Sequence, residues 1–177
     1  MMTDQSTQTS PEAEDIESAQ LTADIVLFGD GRKAPGVHPK DLHVLVIRRG
    51  HAPYAGRWAL PGGRVDRGEH TLAAAHRELG EETGLKVPAL RAFAVYAEPG
   101  RDPRGRVVTF AHFARLIGTP EPKPGDDATD ARWVLVNDIY TDRVKVAFDH
   151  KRIITDAAGL AIGAAAEAAA VAADYTR

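Results

Sequence analysis

Three glutamates, Glu78, Glu81 and Glu82, fall within five consecutive residues, and their types and spacing make them the chain's first candidates for chemistry. On a helix, Glu78 and Glu82 are i and i+4 and share one face about a turn apart, with Glu81 beside them. Like charges so placed cost roughly a few tenths of a kcal/mol in an isolated helix, so a cation is their natural complement. Hard carboxylate oxygens of this kind suit Mg²⁺ or Mn²⁺. The plainer reading is a solvated acidic face. Against it, no lysine is interleaved with the glutamates, and Pro61, Gly62 and Gly63 precede the segment. Arg77 adjoins Glu78 and is i,i+4 from Glu81, so it can orient carboxylates through charge-assisted hydrogen bonds. An ordinary surface ion pair is the alternative.

The elements that must position these groups are legible around them. Residues 71–83 read as a helix rich in good formers, with Thr71 as N-cap and Gly84 as the residue after the C-cap. Leu72, Ala75 and Leu79 form an apolar stripe that would lie on a sheet. Gly80 is awkward there, since mid-helix glycine costs roughly 1 kcal/mol against alanine; close approach of substrate or backbone would explain it, and so would a tolerated defect. Apolar, β-branched runs at 21–28, 42–48, 90–97, 106–116 and 132–136 read as strands, with a short one at 58–60 leading into the helix. Within 106–116, Val108, Phe110, His112 and Ala114 fall on one face and Val107, Thr109, Ala111, Phe113 and Arg115 on the other. Residues 29–41 and 50–56 read as loops, and the LPGG segment at 60–63 as a turn whose glycines let a metal or phosphate approach the main chain. Strands on both sides of one helix, then a helical C-terminus, predict a mixed α/β architecture.

Residues 63–85 read GRVDRGEHTLAAAHRELGEETGL. Gly63, Glu69 six residues on, and the cluster Arg77-Glu78-Leu79-Gly80-Glu81-Glu82-Thr83-Gly84-Leu85 make the stretch resemble the Nudix box, G-x5-E-x7-R-E-U-x-E-E-x-G-U with U aliphatic. All nine specified positions match, an agreement expected by chance well under roughly once in a million chains of this length. The resemblance implies the Nudix fold, a mixed β-sheet sandwiched between α-helices, over about residues 21–158. It implies metal-dependent hydrolysis of a nucleoside diphosphate linked to some other group. It implies that the carbonyl of Gly62 and the side chains of Glu78 and Glu82 bind Mg²⁺ or Mn²⁺. Glu81 is then a further ligand or the group that activates water, with Glu69 and Arg77 supporting catalysis.

Substrate is a separate question, because base and sugar contacts come from loops that vary independently of the box. The PGRDPRG loop at 99–105, GDDA at 125–128 and AFDH at 147–150 resemble the Nudix subgroup related to ADP-ribose pyrophosphatases and to repressors of NAD biosynthesis with a Nudix-like sensor domain. By that resemblance Arg101 and Arg104 bind substrate phosphates or the surroundings of the terminal ribose, with Gly63 lending backbone access; a charged hairpin turn is the alternative. Asp126 and Asp127 sit where relatives often place a catalytic base, and an Asp-rich turn reads equally well. His150 is a general acid or an ordinary polar residue. Tyr54, Trp58 and Tyr96 stack on a base or fill the core. The leading activity is cleavage of ADP-ribose to AMP and ribose 5-phosphate. The alternatives are an (oxidised) nucleoside triphosphate pyrophosphohydrolase and a non-catalytic ligand-sensing domain.

Composition bounds these readings. A chain of 177 residues suffices for one domain with a sizeable core. A net charge of −3 argues against a basic nucleic-acid-binding patch, and the alanine-rich C-terminus does not resemble a winged-helix DNA-binding module, so no DNA binding is expected. There is no cysteine, which excludes disulfides and thiolate zinc sites and sets the chain apart from isopentenyl diphosphate isomerases, which share a similar box but depend on a cysteine. Residues 1–20 are acidic and polar and read as a disordered tail without a signal peptide. The helix at 151–173 is too weakly apolar to span a membrane, so a cytoplasmic protein is expected. That helix should pack at Ile153, Ile154, Leu160 and Ile162, with 159–177 as an Ala-rich extension whose small residues would also allow a homodimer contact.

Overall fold

The computed structural model describes residues 17–31, 41–125 and 128–174, with residues 164–174 described by backbone alone. The expected tail lies outside the described residues up to residue 16, and Gln20 already belongs to the first strand. The elements are β1 (Gln20–Asp30), β2 (Leu42–Arg49), β3 (Trp58–Ala59), β4 (Gly62–Arg64), α1 (Thr71–Thr83), β5 (Arg91–Tyr96), β6 (Val107–Ile117), β7 (Ala128–Leu135), α2 (Val136–Tyr140) and α3 (His150–Asp174).

β1 organises the sheet. Along its whole length it pairs in parallel with β6, from Gln20–Val107 to Asp30–Ile117. Its other edge is divided: Thr22–Asp24 pair antiparallel with β4, and Phe28–Asp30 pair antiparallel with β2. β5 closes one side on β6, while β3 and β7 pair with β2. A strand covered on both faces should be apolar at successive positions, and residues 23–30 are all buried. Alternation then sends Ala23, Ile25 and Leu27 to the α1 side, where they meet Ala74, Ala75 and Leu79. Val26 and Phe28 go to the opposite core with Ile139 of α2 and Ile153 and Ile154 of α3. The result is a mixed sheet between helices, as the sequence predicts.

Helix α1 has the expected limits, but its N-cap is His70 rather than Thr71. His70 has extended backbone, and its side chain accepts the Leu72 N–H. Thr71 is already helical, so its hydroxyl is not the cap. Gly84 ends the helix at φ 67°, donating its N–H to the Gly80 carbonyl. Two elements go beyond the sequence reading. The LPGG turn continues into β4, and a single turn of helix, α2, follows β7 at Val136. In α3 the buried face is Ile153, Ile154, Ala157, Ala158 and Ala161. Leu160 and Ile162, expected to pack, are exposed, because helical periodicity carries them off that face. The helix runs unbroken past residue 158. Among the described residues no helix is long and apolar enough to cross a membrane.

Gly80 has open space where a Cβ would stand, so no close approach within the chain explains it. Gly80→Ala should raise stability by about 0.5–1 kcal/mol, or about 1–4 °C in thermal midpoint for a chain of this size. A lower midpoint in a thermal melt would show that the glycine serves the fold.

Candidate active site

Arg77 is the hub of the box. Its Nε and Nη2 form a fork on Glu69 at 2.9 and 2.8 Å. Nη1 donates to Glu78 Oε1 at 2.6 Å and to Glu81 Oε2 at 3.3 Å, and Nη2 also reaches the Arg64 carbonyl at 2.9 Å. A guanidinium has five N–H donors, and these contacts use the whole fork. The geometry requires glycine opposite: a Cβ on Gly63 would stand 2.5 Å from the carboxyl carbon of Glu78. Gly62, at φ 153°, packs so closely on the Ala23 carbonyl and Asp24 that no side chain fits. Its N–H donates to Glu82 Oε2 at 2.8 Å.

These contacts differentiate the carboxylates. The Arg77 fork and the Asp66 N–H hold Glu69 down to about 2. Burial pushes Glu78 upward against the pull of Arg77. Glu81 is the most open, with 61% of its side chain exposed. The loop before β7 fastens the end of α1: Lys123 N–H donates to the Thr83 carbonyl at 2.8 Å and Gly125 N–H to the Glu82 carbonyl at 3.1 Å. Asp126 and Asp127 lie outside the described residues.

A cleft opens beside the box. Gly62, Gly63 and Glu82 line it together with Asp24, Arg49, Arg101, Arg104, Phe148 and His150. Arg49 donates to the carbonyls of Pro53 and His51; burial and the nearby charge of Arg104 both lower its pKa. Phe148, at φ 51°, lies under Arg49 and Arg104, whose guanidinium carbons are 4.8 and 5.6 Å from its ring centre. The edge of Tyr54 meets the same ring.

The expected substrate arginines differ. Arg101 is buried, with 6% of its side chain exposed, and holds Asp149 bidentately at 2.9 and 2.7 Å. Arg104 is 47% exposed and forks onto Asp102. The loop is therefore not a simple solvated hairpin. His150 is buried; its Nδ1 accepts the Leu60 N–H at 2.8 Å, its Nε2 is 4.0 Å from Asp24 Oδ2, and burial lowers its pKa. Tyr96 is core, donating its hydroxyl to Asp156. Trp58 carries the Arg132 guanidinium 4.0 Å above its ring. Sequence reasoning missed Asp24, Arg49, Asp102 and Phe148 as cleft residues. A charge inside an otherwise apolar strand was the available signal for Asp24.

Hard oxygens surround the box, the donor chemistry a divalent ion takes. Among the described residues no three His, Asp or Glu side chains converge as a ready-made cage. Arg77 draws Glu78 and Glu81 toward itself while Glu82 turns to Gly62.

Comparison with known proteins agrees with this geometry. A family model described as NUDIX domain matches residues 19–157. An ADP-ribose pyrophosphatase of Methanocaldococcus jannaschii is 42% identical over 121 residues, covering 68% of this chain and 69% of the relative. A putative 8-oxo-dGTP diphosphatase 2 of Mycobacterium tuberculosis is 56% identical over 86 residues, 47% of this chain and 58% of the relative. The NUDIX domain of Shewanella oneidensis NrtR, solved in complex with ADP ribose, superposes with a TM-score of 0.69 at 28% identity, covering 85% of this chain and 92% of that one.

The Glu69–Arg77 fork makes a pH prediction. Glu69's folded pKa lies below its ordinary value of 4.5, at about 2. Its contribution is therefore full above the unfolded pKa and is lost as pH falls through the folded one. Denaturant melts of Glu69→Gln should show a shallower fall in stability than the unmodified chain between about pH 5 and 2. Parallel curves would contradict the fork's role.

Proposed function

The chain belongs to the Nudix family, and we propose that this Nudix hydrolase cleaves the diphosphate of ADP-ribose to AMP and ribose 5-phosphate. One observation carries the reading: Arg49 and Arg104 are crowded together in the cleft that Gly62, Gly63 and Glu82 line. Arg104 is already forked onto Asp102, and Asp102, Glu82 and Asp24 offset part of the charge on Arg49, so a bound diphosphate adds an anionic partner to two guanidiniums that still repel each other. A diphosphate there lies beside the box. The similarity to an ADP-ribose pyrophosphatase across two thirds of the chain and to a domain solved with ADP ribose supports the nucleotide sugar as substrate.

Nudix hydrolases work with a divalent metal ion; Glu78, Glu82, the Gly62 carbonyl and Glu81 would hold it here, as Mg²⁺ or Mn²⁺. When bound, such an ion neutralises diphosphate charge and lowers the pKa of water. Arg77 aims Glu78 and Glu81 through its hydrogen bonds to both. Arg49 and Arg104 bind the diphosphate oxygens, and Phe148 beneath them fixes their planes. Glu81, the most open carboxylate, takes the proton from the attacking water at its Oε atoms. The water oxygen adds to one phosphorus, and the bridging oxygen leaves with the other phosphate. Arg101 is spent on Asp149, so its contribution is to hold the 147–150 segment in place rather than to grip substrate.

The 56% identity to a putative 8-oxo-dGTP diphosphatase favours a second reading, hydrolysis of an oxidised nucleoside triphosphate. A panel of ADP-ribose, NADH, diadenosine polyphosphates and nucleoside triphosphates including 8-oxo-dGTP, with Mg²⁺ or Mn²⁺, decides. ADP-ribose should give the highest kcat/KM and a chelator should abolish turnover; a higher value for 8-oxo-dGTP selects the second reading. Glu78→Gln and Glu82→Gln should each lower kcat by about two orders of magnitude or more without unfolding the chain. Near-normal kcat in both would remove them from the metal site.

Arginine truncation separates two roles. Arg104→Ala should lower kcat/KM for ADP-ribose by roughly ten- to a hundredfold, the worth of a charge-assisted hydrogen bond. Arg101→Ala should also lower the thermal midpoint, because it removes a buried side chain and leaves the half-buried Asp149 unpaired. An unchanged midpoint in Arg101→Ala would return that residue to the substrate.

A further inference from the structure

The segment before α3 runs beside β3 as a short parallel ladder. Trp58 bridges Val146, and Ala147 N–H donates to the Trp58 carbonyl at 2.7 Å. The next inward-facing donor on the β3 side is the Leu60 N–H. A continuing strand would offer it a carbonyl. Instead Phe148 takes a left-handed backbone, φ 51°, and the chain turns away into α3. The side chain of His150 takes up the bond: its Nδ1 accepts from Leu60 N–H at 2.8 Å, with both groups buried. Two residues further on, Gly62 donates to Glu82 Oε2 and begins the pairing of β4 with β1.

We propose that His150 is a positioning residue of the active site, a neutral imidazole whose Nδ1 completes the ladder and fixes the Leu60-Pro61-Gly62 segment against the box. The proposal rests on the Nudix hydrolase reading for the importance of Gly62, whose N–H meets Glu82 Oε2 and whose carbonyl that reading assigns to the metal. A backbone N–H cannot be shared with a protonated nitrogen, so this bond requires the tautomer with its hydrogen on Nε2. That hydrogen faces the cleft side, with Asp24 Oδ2 4.0 Å away. Burial favours the neutral ring in the same sense. Asp24 sits on β1 as the pairing partner of Gly62, so one carboxylate stands near both the ring and the close approach of Gly62. Losing the acceptor strands a buried N–H, and the segment must shift to find another.

The side chains that test this differ in where they place an acceptor. The asparagine amide oxygen stands about where Nδ1 stands, whereas glutamine extends its polar end toward the position of Nε2. His150→Asn should therefore keep the Leu60 bond, His150→Gln should lose it, and His150→Phe keeps the ring volume without any acceptor. Mn²⁺ binding to substrate-free protein, followed by the EPR signal of free Mn²⁺, should be weakened roughly tenfold or more in the Gln and Phe variants and far less in the Asn variant. Their kcat for ADP-ribose should fall in the same order, with KM little changed. A purely structural role predicts instead that activity follows the thermal midpoint, which loss of the ring lowers in both Asn and Gln variants. Equal Mn²⁺ affinity and kcat in those two overturns the proposal.

A measurement on the unmodified chain stands apart from whether any variant folds. Its ¹⁵N NMR spectrum at neutral pH should show His150 Nδ1 unprotonated and Nε2 protonated. A protonated Nδ1 overturns the proposal outright. Failure of the unmodified protein both to bind Mn²⁺ and to turn over any substrate in the panel overturns the hydrolase reading instead, and with it the proposed role at the active site, whatever the tautomer.

Discussion

The site depends on one cation. Three carboxylates, Glu69, Glu78 and Glu81, lie around Arg77, and all five donors of its guanidinium are directed to them and to the Arg64 carbonyl. A lysine has a single point charge and cannot hold a planar set of partners from two elements at once. Arg64 lies in β4 and Arg77 in α1, so the same side chain that offsets carboxylate repulsion also ties the helix to the strand before it. That tie brings Glu78 against Gly63, at a separation only glycine permits. Charge compensation and close packing are here one constraint. It explains why arginine, glutamate and glycine recur at fixed spacing in a segment whose helix would form without them.

The cleft beside the box is assembled differently. Asp24 comes from the central strand, Arg49 from the end of β2, Arg101 and Arg104 from the loop after β5, and Phe148 and His150 from the segment entering α3. Opposite charges alternate through it. Arg101 joins Asp149 at 2.7 Å and approaches Asp24 at 3.8 Å, and Arg104 joins Asp102. Arg49 and Arg104 then remain close to each other over Phe148. The Arg101–Asp149 pair anchors the loop through a buried guanidinium, whereas in the second pair the carboxylate is buried and the Arg104 guanidinium is the open member.

The legible parts of the sequence were those set by local physics. Helix α1 was readable end to end because its propensities, apolar stripe and terminal glycine all agree, and the box made its glutamates stand out. The cap itself was misread: Thr71 is the commoner capping type, yet His70 accepts the Leu72 N–H from an extended backbone. β1 and β2 showed as apolar runs because strands covered on both faces are largely apolar, and β6 showed by its apolar and β-branched content despite Thr109, His112 and Arg115. β4 did not, since Gly62-Gly63-Arg64 has poor strand propensity and is held extended by pairing with Thr22–Asp24. Leu160 and Ile162 were placed inward on hydrophobicity alone, where the smaller Ala157, Ala158 and Ala161 hold the buried face. The cleft was the least legible part, because nothing local to Arg49 or Asp24 says that the chain near residue 150 will face them.

That contrast follows from how each region is held. The box is contiguous, and its key contacts span at most twenty positions, from Gly62 to Glu82, so its pattern lies within twenty-odd residues. The Leu60–His150 bond spans ninety positions. It exists because a strand that ought to continue is cut short by the left-handed turn at Phe148, and a side chain takes the place of the missing carbonyl. No pattern of spacing announces such a substitution. It is recognisable only by asking where each buried N–H of the segment before the box finds its acceptor. The question leads from the closely packed glycines, through the main chain, to an imidazole that a list of acids and bases would have entered as a proton carrier. Its Nδ1 is already committed as an acceptor to the backbone, so the ring's value to the site lies in the geometry it enforces.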